Sequence, residues 1–427
     1  MRATRKIASF RVGAAVTALA LLAAACTGSG HGSNHASPAA AARPTASATA
    51  PAPRVVITPG NGAAGVSPSA GITVTATRGT LTNVAVRTAG DPVSGHLSQD
   101  GRVWHSQWTL DVSQAYTVTA TATGHGRAVT TASTFRTLTP GQTFRTFIFE
   151  GYHQTYGVGM PIMLVFSQPI TDKAAVERSL QLRTSKPVVG AWYWDGSQTL
   201  DFRPRDYWPS GTTVSFTGHL NGVRGAPGMY GAHTLTQTFY IGRSLVAIGN
   251  TATHRTQIYY NGKLRYNWPI SSGRPGDATP NGSYLTIEKA NPVEMKGPGY
   301  DLMVPWSVRF TFSGDYYHDA YWSVGEQGFD NVSHGCVNLS PAHAETYYKL
   351  AVPGDPITIK GSPRSGTWGD GWTEWFLSWP RYLRGSALHQ AVQAGPAGST
   401  FVAPSSLPPS TARAPLQTAP ANNSNAR

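Results

Sequence analysis

The chain carries two cysteines, Cys26 and Cys336, in unlike surroundings. Cys26 closes an apolar N-terminal run. Cys336 lies in Asn331-Val332-Ser333-His334-Gly335-Cys336-Val337-Asn338-Leu339-Ser340. Once Cys26 is cleaved away or lipidated, Cys336 has no intramolecular disulfide partner. A lone thiol is commonly a buried, inert group. Export to an oxidising compartment weighs against that role. A nucleophilic thiol needs a base within hydrogen-bond reach, and the base needs a group that orients it. His318, His334 and His343 are the candidates. His334 shares the side of Cys336 in an extended segment. His318 follows the strand-like Val308-Arg309-Phe310-Thr311-Phe312 and a turn at Ser313-Gly314-Asp315. His343 falls on a predicted helix and reads as a surface residue. Spacing alone leaves His318 and His334 unranked. Gly335 lets backbone N–H groups come close to a reacting oxygen.

The elements that must hold these groups are mostly strands. Asn261-Gly262 between Gln257–Tyr260 and Lys263–Tyr266 is a type I′ hairpin signal. Thr279-Pro280-Asn281-Gly282 turns into the strand Ser283–Ile287. Ser340-Pro341 reads as N-cap and first residue of a helix over 342–350. Upstream, Ile72–Ala76 and Tyr116–Ala120 alternate as strands of a small Ig-like sandwich over 54–137. A second β unit covers 138–243, with one short helix over Asp172–Leu180 and Thr171 as its expected N-cap. Residues 244–360 carry the candidate chemistry. Gly361–Leu388 holds Trp368, Trp372, Trp375, Trp379 and Phe376, and reads as a clasp on the catalytic domain. From His389 to Arg427 the chain has few large apolar side chains and is expected to be disordered, as is the linker 27–53.

Composition excludes other classes. Only 13% of residues are charged, with 46 Gly and 31 Pro, which disfavours coiled coils and helical bundles. No run of about 18 apolar residues exists, so a polytopic membrane protein is excluded. The net charge of +13 includes no Lys/Arg run or RNA-binding motif, which argues against nucleic acid as a partner. Arg2, Arg5, Lys6 and Arg11 form a positive n-region, and Val12–Ala24 has signal-peptide length. Leu21-Leu22-Ala23-Ala24-Ala25-Cys26 resembles a bacterial lipobox, with Ala23 where Leu is most typical. That resemblance implies cleavage before Cys26, its lipidation, and anchoring on the outer face of the cytoplasmic membrane. Plain secretion after Ala25 is the alternative.

The run Ser333-His334-Gly335-Cys336-Val337-Asn338, with His318 upstream, resembles the signature of the L,D-transpeptidase (YkuD) catalytic domain over about residues 245–360. The order of segments resembles mycobacterial-type L,D-transpeptidases. The resemblance implies a mainly β fold: two Ig-like sandwiches, a catalytic sandwich with a short helix, and a Trp-rich C-terminal piece. It implies Cys336 as nucleophile, His318 as base, and the backbone carbonyl of Asp319 as its orienter, where Ser is common in the family. An Asp319 side chain near the ring would raise the His318 pKa. His334 would shape the site. Tyr300 and the N–H groups of Gly335 and Cys336 would form an oxyanion hole. Asn338 would hold substrate or the loop, and Ser313, Trp322 and Ser333 fall where the family places site residues.

The implied reaction is attack of Cys336 on the bond before the terminal D-Ala of a peptidoglycan tetrapeptide stem. The thioester would then pass to the side-chain amine of a neighbouring stem, giving a 3→3 cross-link. No metal or organic cofactor is required, and acylation of Cys336 by carbapenems is expected. The chain is expected to act as a monomer. Hydrolysis of the same thioester (an L,D-carboxypeptidase) and a non-catalytic wall-binding protein are the rival readings.

Overall fold

A computed structural model describes residues 51–410, except Pro298. The expected signal peptide, the expected lipidation position Cys26, most of the expected linker and the tail from residue 411 lie outside the described residues.

Alternating burial builds the first β unit. Val55, Ile57, Val74 and Ala76 point inward from the antiparallel pair Arg54–Thr58 and Thr73–Thr77. With Val103–Ser106 and Gly95–Leu97 they form one four-stranded sheet. Thr80–Arg87, Ala115–Gly124 and Arg127–Arg136 form the other. Leu81, Tyr116, Val118 and Phe135 share one core with Ile72 and Val74, so the two sheets close a sandwich.

The second unit has a separate core, in which Ile162, Leu164, Phe166, Trp192, Phe202, Phe216 and Phe239 meet. The expected helix runs Lys173–Arg178. Its N-cap is Asp172 rather than Thr171, whose hydroxyl is drawn to the Gly225 carbonyl (3.5 Å) instead. Part of the expected disordered tail is ordered. Ala391–Gly395 pairs antiparallel with Val188–Asp195, and Gly398–Val402 adds the edge of a six-stranded sheet. Small side chains suffice there, because Ala391, Val392 and Ala394 are covered by neighbouring strands.

The Trp-rich piece faces this second unit more than the catalytic domain, contrary to expectation. Trp372 joins its core. Trp375 donates from Nε1 to the Gly159 carbonyl (2.8 Å) and packs on Tyr207. Trp368 packs edge-on against Tyr193, and Trp379 lies beside the Ala191–Tyr382 cluster. The buried Arg203 guanidinium is held over the rings of Trp375 and Tyr382. Phe376 turns the other way, onto Tyr284 of the catalytic domain (5.0 Å between centroids).

In the catalytic domain one sheet runs Lys263–Pro269, Arg255–Tyr260, Leu245–Asn250, Pro356–Lys360, Gly282–Leu285. Asn261 and Gly262 both have positive φ (48° and 77°), as a type I′ turn requires. The second sheet runs Glu288–Ala290, Ser307–Arg309, Tyr316–Asp319, Val337–Leu339. The helix Pro341–Leu350 follows, with Ser340 at N-cap and Pro341 at N1. Ala247, Ile258, Val308, Phe310, Tyr317, Val337, Tyr347 and Ile357 fill the space between. Among the described residues, no helix is long and apolar enough to cross a membrane.

Candidate active site

Strand register brings the distant residues of the site together. Tyr316–Asp319 lies parallel to Val337–Leu339, with His318 opposite Asn338. Tyr317 points into the core, where its hydroxyl meets Thr256 Oγ1 (3.1 Å). Alternation then turns His318 to the other face. Its Nδ1–H donates to the Asp319 carbonyl at 2.7 Å, which leaves Nε2 as the basic nitrogen. Burial pushes the His318 pKa down to about 4, against the favourable pull of that carbonyl. The ring is therefore neutral at ordinary pH. The Asp319 side chain is buried and takes its bond from the Tyr321 N–H; burial raises its own pKa. The ring is oriented by the Asp319 carbonyl, and burial is the main cause of its shift.

Cys336 is half-buried at the edge of a cavity of about 360 Å³. His318, Tyr300, Trp322, Ser333, His334 and Asn338 line the same cavity. Met295 and Leu302 also line it, from the hairpin Val293–Gly297 and Tyr300–Val304. The Cys336 thiol donates to the Gly314 carbonyl at 3.7 Å. Burial, and then the Asp315 carboxylate, push its pKa up to about 12, while the Tyr316 N–H favours the thiolate. Thiol and imidazole both rest neutral, so proton transfer belongs to the reaction rather than to the resting state.

The loop that presents the thiol is pinned at several points. Ser333 Oγ donates to the Cys336 carbonyl (2.6 Å) and accepts from the Gly335 N–H (3.2 Å). That bond occupies one of the three expected oxyanion donors, the Gly335 N–H. Gly335 has φ +132°, and a Cβ there would stand 2.4 Å from Asp315 Oδ1, so only glycine fits. The Gly335 carbonyl accepts from Thr279 Oγ1 (2.6 Å). Asn338 Nδ2 donates to Ser323 Oγ (2.8 Å), which gives it a loop-holding place at the cavity wall. Tyr300 packs against the exposed His334 ring, 4.9 Å between centroids. Burial raises the Tyr300 pKa, and the nearby Cys336 adds to it.

Two expectations fare differently. Ser313 is exposed and does not line the cavity; its hydroxyl and N–H both go to Asp370. His343 stacks on Trp268, away from the thiol. Sequence reading missed Thr279, Asp315 and Asp370. Thr279 sits in a turn that was read only as punctuation, and Asp370 lies beyond the candidate domain.

Residues 244–359 match the L,D-transpeptidase catalytic domain family, and residues 63–224, across both upstream units, match a bacterial Ig domain family. The chain is similar to L,D-transpeptidase 5 of Mycobacterium tuberculosis, 36% identical over 79% of this chain and 78% of that protein. It is also similar to L,D-transpeptidase 2 of that species, 32% identical over 78% and 85%. A solved structure of the L,D-transpeptidase LdtMt1 in complex with imipenem is 34% identical over 50% of this chain and 97% of that one, with a TM-score of 0.43. With a catalytic-domain match that includes the His318–Cys336 constellation and relatives of this coverage, the chain belongs to the L,D-transpeptidase family, acyltransferases with a cysteine nucleophile.

Proposed function

We propose that the protein cross-links peptidoglycan by forming 3→3 bonds. One observation carries the mechanism: a half-buried thiol shares a cavity with an imidazole whose Nδ1–H is fixed on a backbone carbonyl. His318 Nε2 takes the Cys336 proton as the sulfur attacks the carbonyl that precedes the terminal D-Ala. The oxyanion is received by the Tyr300 hydroxyl and the Cys336 N–H, each donor lowering the barrier by about 3–4 kcal/mol. The tetrahedral intermediate collapses to a thioester, and D-Ala leaves with the proton from His318. The side-chain amine of a second stem then attacks the thioester, and His318 accepts its proton. The C–S bond breaks, the new amide forms, and His318 returns the proton to the sulfur, restoring the thiol. Neutral resting groups suit this sequence, because His318 begins as a base and Cys336 as a thiol.

The test is incubation with tetrapeptide muropeptides and mass spectrometry of the products. Cross-linked dimer with free D-Ala is expected. Trimmed monomer would show that water is the acceptor. Cys336→Ala should abolish both while keeping the melting temperature within a few degrees; retained turnover would exclude the thiol mechanism. Imipenem should add covalently to Cys336 in the wild-type protein. We further propose that the enzyme works as a monomer, anchored outside the cytoplasmic membrane through lipidated Cys26. The intact mass of the mature N-terminus reads whether acyl chains are present.

A further inference from the structure

Ser313 lies outside the cavity lining, and both of its donors go to one residue, Asp370. The Ser313 N–H donates to Asp370 Oδ1 at 2.7 Å, and the Ser313 hydroxyl donates to Oδ2 at 2.7 Å. Asp370 stands outside the 244–359 catalytic match. Its access depends on the next residue. Gly371 has φ +116°, and a Cβ there would lie 2.7 Å from the Phe310 carbonyl oxygen. A side chain at 371 would push this segment off the strand end that starts the turn.

The turn that Asp370 grips is tightly wound. Thr311 Oγ1 accepts from the Gly314 N–H (3.1 Å) and the Asp315 N–H (2.7 Å), and donates to Asp315 Oδ2 (3.0 Å). Two backbone groups at the end of this turn meet the nucleophile. The Gly314 carbonyl receives the Cys336 thiol at 3.7 Å, and the Tyr316 N–H favours its thiolate. Ser313 is therefore one residue from the sulfur's acceptor, and Asp370 fixes Ser313 by both of its donors. The same C-terminal segment holds the other flank. The Arg364 carbonyl accepts from the Asn281 N–H (2.9 Å), and the Gly366 N–H donates to the Asn281 carbonyl (2.7 Å). That loop includes Thr279, which holds the Gly335 carbonyl.

We propose that Asp370 is a positioning residue for the transpeptidase reaction, holding the Ser313–Gly314 turn so that the Gly314 carbonyl and Tyr316 N–H frame the Cys336 sulfur. The inference rests on Cys336 being the nucleophile. It assigns to Ser313 the task of receiving this brace, in place of contact with substrate.

The experiment measures covalent addition of imipenem to Cys336 in the full chain by time-resolved intact mass. Wild type, Asp370→Ala, Ser313→Ala, the double variant and Gly371→Ala are compared, each with its melting temperature. Wild-type protein that forms no adduct would remove the functional reading itself, whatever the variants do. Given a wild-type adduct, Asp370→Ala should lower the saturated acylation rate about tenfold, below the roughly hundredfold of a 1 Å misplacement. The imipenem concentration at half-saturation should hardly move. Ser313→Ala keeps the main-chain bond and should lose less. The double variant should be at most slightly slower than Asp370→Ala, because the Ser313 hydroxyl's other neighbour, Thr311 Oγ1, is the more distant one (3.3 Å against 2.7 Å). Gly371→Ala should reproduce the loss. Three results would overturn the proposal: an unchanged rate in Asp370→Ala, losses that multiply in the double variant, or a change confined to half-saturation. If Asp370→Ala does not fold, Ser313→Ala decides: a wild-type saturated rate there overturns the proposal.

Discussion

At the scale of single residues, the site is governed by burial and by backbone groups more than by charge pairs. His318 is held by a carbonyl that any residue at position 319 would supply. Its pKa is pushed down to about 4 by burial, against the pull of that carbonyl. The consequence for pH is definite. A base with a depressed pKa is already neutral well below the ordinary histidine value of about 6.5. The acid limb of Cys336 acylation should therefore lie below pH 6. Asp319→Ser should leave that limb in place, since Ser offers the same carbonyl. The pH dependence of imipenem addition to both proteins checks this. An acid limb that moves with the substitution would return a role to the carboxylate.

At the scale of elements, the segment beyond the catalytic sheet is structural. Ala391–Gly395 and Gly398–Val402 complete a six-stranded sheet, and Ser399 Oγ accepts from the Leu182 N–H (2.9 Å). Removing residues 389–427 would strip the Val188–Asp195 strand of one partner and uncover Val188 and core neighbours of Val392. Val392 alone is worth about 1.5–3 kcal/mol by burial. This deletion should lower the melting temperature by several degrees. Deleting residues 361–427 should cost more, because Trp372, Trp375 and Phe376 go too. Calorimetry on both truncations is the measurement, and an unchanged melt for the shorter deletion would show that the two strands contribute nothing.

At the scale of the whole molecule, the second β unit and the catalytic domain are joined through an ion pair between half-buried Arg243 and buried Asp355. Arg243 Nη1 and Nη2 donate to Asp355 Oδ1 (2.5 Å) and Oδ2 (2.8 Å), and the Val352 N–H adds a third bond (2.7 Å). The Gly157 N–H to Pro353 carbonyl (2.8 Å) and the Gly159 N–H to Gly354 carbonyl (2.9 Å) run alongside. Burial lifts the Asp355 pKa to about 6 even with Arg243 beside it. Its folded value thus exceeds its unfolded one, so this group favours the folded state less as pH rises from about 4 through 6. Arg243→Met removes the cation and should raise the Asp355 pKa further. At pH 8 the lone buried carboxylate should cost about 3–5 kcal/mol. At pH 5 Asp355 is protonated in the variant, and the loss should shrink. Melting temperatures at the two pH values test this; a loss equal at both would mean that packing rather than charge explains it.

What the sequence determined alone is what short-range pattern encodes. Asn261-Gly262 can take two positive φ angles, so the hairpin was legible. Alternation in Ile72–Ala76 and Tyr116–Ala120 marked inward faces, so the sandwich was legible. The Ser333–Asn338 run marked the catalytic domain through its resemblance to the family signature. The tertiary structure decided what depends on segments far apart in the chain. It buried His318 and gave it an orienting carbonyl, while His334 stayed exposed beside Tyr300. It turned Ser313 outward onto Asp370, 57 residues away. It paired Ala391–Gly395 with Val188–Asp195, although its small side chains carry a weak apolar signal. Burial, pKa and hydrogen-bond partner are properties of a residue's neighbours in space. A linear pattern names the groups able to react, and packing decides which are desolvated, aimed and held.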